Sequence, residues 1–104
     1  LIATLDDQAE VKEVVFLALG EIGDLRAVDP LITTLGDKNW EVRSSAAKAL
    51  GKIGDERAIQ PLVNLLEDNN ENVRWYSVQA LEIITGESYG EDIFKWRKLI
   101  NEGN

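Results

Sequence analysis

Between residues 42 and 53 the apolar side chains fall at Val42, Ala46, Ala49, Leu50 and Ile53. Steps of three and four put one apolar stripe along a helix. Gly54 follows, the residue type that most easily adopts the left-handed backbone past a helix end. Asp55 then stands where a carboxylate can accept from the first free amides of the next helix. A second apolar set, Leu62, Val63, Leu65 and Leu66, opens after Pro61 and closes in the polar run Glu67–Asn72. Proline is tolerated best in the first helical turn, so the spacing predicts a short turn over Asp55–Arg57 and a helix starting near Ile59.

The same pattern is written twice. Ala18–Leu31 reads ALGEIGDLRAVDPL and Ala49–Leu62 reads ALGKIGDERAIQPL, with ten of fourteen letters shared at an offset of 31 residues. Gln8–Lys38 laid over Asn39–Asn69 gives fourteen identities in 31 positions. Val73, Arg74, Leu81 and Ile84 continue the phase, so a third copy opens near Asn70. A fixed period of this length marks stacked helix pairs, because neither helix of a pair can bury its apolar face alone. Gly20 and Gly51 lie inside helices, where glycine costs ~1 kcal/mol relative to alanine. Small size at a crossing of adjacent backbones would justify them, as it would Ala46, Ala47 and Ala49.

The string V-R-x-x-A-A-x-A-L-G-x-I-G-D-x-R-A-x-x-P-L, carried by Val42–Leu62, resembles the short HEAT-like repeat of phycobilisome lyase subunits and many prokaryotic proteins. The likeness covers residues 1 to about 86 and speaks to fold more than to function, since the shared letters are structural ones. It implies an all-α fold: a right-handed α-solenoid, or superhelix, of stacked antiparallel helix pairs with a C-terminal capping helix. It also puts the leucine-rich helix first in each repeat and the V-R helices on the concave face. The expected organisation is a single domain with a partial first repeat at 1–23, repeats at 24–54 and 55–86, and a cap at 87–104. LIATLDD (Leu1–Asp7) matches LITTLGD (Leu31–Asp37) at five of seven positions. On that match the first helix has lost its opening turn, a loop follows Asp7, and the chain is a piece of a longer solenoid. After Gly86 the period fails, and Ile93, Phe94, Trp96, Leu99 and Ile100 are expected to form an apolar stripe that closes the stack.

Composition narrows the chemistry. The chain has no Cys and no His, which removes thiolate chemistry, Cys-type metal sites and the commonest general base. Its net charge of −8 opposes phosphate backbones and anionic membrane surfaces, so neither nucleic acid nor membrane is an expected partner. No apolar run of ~18 residues and no leader is visible, which reads as cytoplasmic. The run EDNNENVR (Glu67–Arg74) is oxygen-rich but lacks the spacing of a calcium loop and reads as an inter-helical turn. Arg43 and Arg74 recur in phase with Asp37 and Asp68, and Lys12 with Asp7, as expected of a ladder of ion pairs and turn hydrogen bonds between repeats. No catalytic residue, metal site or cofactor is expected, and the chain is not expected to be an enzyme.

What remains is a stripe of letters that the repeat does not dictate, on the side of the V-R helices away from the alanines. The expected partner-binding residues are Glu10, Glu13, Val14 and Leu17 from the first copy. The second supplies Trp40, Glu41, Ser44, Ser45 and Lys48, and the third Asn72, Trp75, Tyr76 and Gln79. Trp40, Trp75 and Tyr76 are the expected anchors, since aromatics with a polar handle dominate interface hot spots. The expectation is a scaffold that binds another protein. The alternatives are an accessory subunit of a phycobilin lyase, implied by the resemblance, and a structural segment of a longer HEAT-repeat protein. Self-association through Leu1–Asp7 is a further possibility.

Overall fold

A computed structural model describes the backbone of residues 5–102 and the side chains of residues 14–102. Six helices follow one another: α1 (Leu5–Ile22), α2 (Val28–Thr34), α3 (Trp40–Ile53), α4 (Ile59–Asn64), α5 (Glu71–Thr85) and α6 (Ile93–Glu102). Single 3-10 turns over Leu25–Ala27 and Glu56–Ala58 lead into α2 and α4, and a third over Leu65–Glu67 follows α4. No strand occurs among the described residues. The longer helices α1, α3 and α5 pack side by side in that order, α2 lies on α3, α4 on α5, and α6 against α4. The molecule is accordingly elongated, 52 × 28 × 18 Å.

Local chemistry at each helix end explains these bounds. The Asn39 and Asn70 side chains cap α3 and α5, accepting from the Glu41 and Asn72 amides at 2.9 and 2.8 Å. Gly54 and Gly86 both close their helices with φ of 78°, a conformation that side chains with a Cβ seldom adopt. Asp24 and Asp55 each take the backbone amide two residues on, starting the 3-10 turns that let Pro30 and Pro61 sit in the first turn of α2 and α4.

One expected loop is absent. The chain around Asp7 is helical, because α1 begins at Leu5 and runs without a break to Ile22. Gln8 stands where Asn39 and Asn70 make their caps, so the side chain that starts α3 and α5 is missing there. Leu1–Thr4 and the side chains of Asp7, Glu10, Lys12 and Glu13 lie outside the described residues.

The core runs between the two helix layers and is made of the in-phase letters: Val28, Leu31, Ala46, Leu50, Leu62, Val63, Ala80 and Leu81 are all buried. Trp96 of α6 joins it, fully buried, with its indole N–H donating to the Gly90 carbonyl at 2.8 Å and its ring edge-to-face with Tyr89 at 4.9 Å. Ile93, Leu99 and Ile100 pack against the same core. Phe94 does not: it is 80% exposed, which corrects the expected five-residue stripe. Successive helical residues differ by 100°, so Phe94 and Trp96 are 200° apart and cannot share a face.

The repeated arginines form the expected ladder. Arg43 donates from Nε and Nη2 to the two Asp68 oxygens at 2.8 and 3.1 Å, and from Nη1 to the Asp37 carbonyl at 2.9 Å. Arg74 repeats the last contact on the Asp68 carbonyl at 2.8 Å and reaches forward to Glu91 at 2.9 Å.

Candidate functional site

Three side-by-side helices present their exposed faces together, and a groove of about 420 Å³ runs across them. α1 contributes Leu17; α3 contributes Trp40, Glu41, Ser44, Ser45, Lys48, Ala49 and Lys52; α5 contributes Asn72 and Tyr76. The stripe on α3 follows from helical geometry, since positions 41, 45, 48 and 52 lie three or four residues apart and so share a face. α1 and α5 flank it because the glycine crossings bring the backbones close. A Cβ built on Gly51 would fall 2.8 Å from the Ala80 Cα, and one on Gly20 would fall 3.2 Å from the Ala49 Cα.

The floor is Ala49 and Ser44, both buried, with the Ser44 hydroxyl donating to the Glu41 carbonyl at 3.0 Å. The aromatic walls are Trp40, 39% exposed, and the half-buried Tyr76. Lys48 lays its ammonium over the Tyr76 ring, 5.9 Å from the centroid. Lys52 is turned toward α1, where it pairs with Glu21 at 3.1 Å.

Eight of the residues expected on the variable stripe therefore meet at one groove: Leu17, Trp40, Glu41, Ser44, Ser45, Lys48, Asn72 and Tyr76. Trp75 lies outside the lining, 56% exposed, its ring edge-to-face with Tyr76 at 5.0 Å. Val14 is exposed and Gln79 half-buried, and neither lines the groove. Two lining residues lay outside the expected set. Lys52 belongs to the variable stripe itself, one helical turn beyond Lys48, although it was not among the expected partner-binding residues. Ala49 was not expected, since its letter belongs to the alanine stripe and it lies buried beneath the longer side chains.

No group of three or more acidic residues among the described ones is arranged to hold a metal ion. The ionisable side chains with displaced pKa values lie away from the groove. The Arg57 guanidinium and backbone amide hold the Asp55 carboxyl below its ordinary value, and Arg26 does the same to Asp24. Burial, reinforced by Glu87, pushes the Tyr89 phenol up. Among the described residues, no helix is long and apolar enough to cross a membrane.

Paired helices in two layers, written with one 31-residue period, define a helical-repeat protein. Residues 1–84 match the family of HEAT repeats, and the chain belongs to that family. Comparison with curated proteins gives no match. HEAT repeats generally mediate protein–protein interaction, and their proteins are typically non-catalytic scaffolds.

Proposed function

We propose that this chain is a protein-binding scaffold whose partner seats on the exposed face of α1, α3 and α5, the concave side of a right-handed superhelix capped by α6. The observation that supports this most is the convergence of the letters that differ between repeats on one groove, with Trp40 and Tyr76 as walls and Trp75 packed beside them. Side chains that stacking requires are held constant by it; these are the ones left for a partner. A rigid helical surface loses little conformational freedom on binding, so modest aromatic contact area gives useful affinity. The net charge of −8 disfavours a nucleic-acid partner for the same face.

The test is capture of partner proteins from a native lysate on immobilised chain. Trp75→Ala combined with Tyr76→Ala should weaken capture by about 2 kcal/mol with far-ultraviolet helicity unchanged. Equal capture by the double variant moves the site elsewhere.

A second reading, one segment of a longer stack, is supported by the outer face of α1. Ala49 and Ala80 are sealed, each by a glycine of the preceding long helix, Gly20 and Gly51. Ala18 has the same place in the period and is exposed, with Val15 and Ile22 beside it at 46% and 74% exposure. Position 82, the next in the glycine register, is Glu82. Glutamate there does not offer a second copy the same close crossing, so the complementary surface is a glycine-bearing helix of another repeat.

A further inference from the structure

The groove carries a chemical preference of its own. Acidic residues outnumber basic ones 19 to 11 in this chain. Most of the basic side chains from α3 to α5 have taken a carboxylate: Arg43 has Asp68, Lys52 has Glu21, Arg57 has Asp55 and Arg74 has Glu91. Lys48 is the exception. Among the described residues it makes no hydrogen bond or ion pair, and its ammonium stands in the groove over Tyr76. Two neighbouring donors are also uncommitted, the Ser45 hydroxyl and the Asn72 side-chain amide.

We infer that the groove takes a peptide segment in which an acidic side chain lies next to a bulky apolar one. The carboxylate binds the Lys48 ammonium, with Asn72 and Ser45 as supporting donors, and the apolar side chain packs against Trp40, Tyr76 and Leu17. This rests on the reading of the groove as the partner site and names what it selects. A basic segment meets the opposite situation, since the face of Tyr76 already has a cation and Lys48 would repel a second. Glu41 lies two turns of α3 away from Lys48, about 10 Å along the axis, and is free to accept backbone amides from the far end of the segment. The overall charge of −8 does not oppose this at contact range. Exposed charges more than about 8 Å away are largely screened at physiological salt, whereas an ammonium–carboxylate pair in contact and partly covered by the bound segment is screened much less.

The probe is acetyl-Ala-Glu-Leu-Phe-Ala-amide, titrated into the whole chain while Trp40 and Trp75 fluorescence is followed, beside peptides with Gln or Lys in place of Glu. The acidic peptide should bind about tenfold more tightly than the Lys peptide. Lys48→Gln, an exposed substitution that leaves the fold intact, should reduce that ratio to about threefold or less. Equal affinity for all three peptides, or a preference that survives Lys48→Gln, overturns the inference. If the peptides bind equally and Trp40→Ala weakens all of them, the groove reading stands and only the acidic preference falls. If none binds at any charge, both fall.

Discussion

A methyl group at residue 51 would fall 2.8 Å from the Ala80 Cα and 2.9 Å from its Cβ, too close for either backbone to stay where it is. Gly51→Ala therefore sets two effects against each other. Helix propensity favours alanine by ~1 kcal/mol, while overpacking at a backbone crossing costs about 1–3 kcal/mol. The net expectation is destabilisation in urea unfolding, with a smaller loss for Gly20→Ala, whose nearest contact is 3.2 Å. A Gly51→Ala chain more stable than wild type would mean that the helices do not cross there. Asp55 offers a second test at this scale. Its folded pKa is depressed by Arg57, so its contribution to stability is present above the ordinary carboxylate pKa and is lost as the pH falls through the lower folded value. Asp55→Ala should flatten that acid limb of the stability profile, and an unchanged limb would remove Asp55 as its source. Both positions were legible as letters, a glycine inside a helix and an aspartate after one, and the Asp55–Arg57 contact is local to one turn. The partner of Gly51 was not legible, because a contact across a period depends on how helices seat.

The elements sort by what ends them. α3 and α5 start at asparagine caps and end at left-handed glycines, and the sequence pattern located both ends of each to within a few residues. α1 shows the converse: the chain runs helical past Asp7, where a loop was expected, and the capping letter at position 8 is glutamine. α6 divides its apolar residues. Trp96→Ala should cost about 3–5 kcal/mol, since it empties a sealed site and strands the Gly90 carbonyl. Phe94→Ala, on the exposed side of the same helix, should stay within about 0.5 kcal/mol. Thermal unfolding of the two variants separates them, and equal losses would mean that α6 does not dock through its tryptophan.

At the scale of the whole molecule, stability in a stacked array is a sum over units and the interfaces between them. Replacing residues 1–7 by a copy of residues 39–69 puts a glycine-bearing helix pair in register ahead of α1. Covering Val15, Ala18 and Ile22 should raise Tm by about 5–10 °C and slow amide exchange in α1. Unchanged exchange there would mean that the outer face of α1 is not a stacking surface. The sequence by itself determined the period, the paired helices, their caps and the arginine ladder, because each is specified by neighbours within one repeat or by the same letter one repeat on. Tertiary structure decided which variable residues meet. Trp40, Lys48 and Tyr76 come from helices one full period apart, and their convergence on one groove depends on the glycine crossings that set how closely α1, α3 and α5 lie. Among the described residues it also left Lys48 without a carboxylate, an outcome of distances between elements that no local pattern encodes, and it chose the Trp96 side of α6 for the core, which leaves Phe94 in solvent.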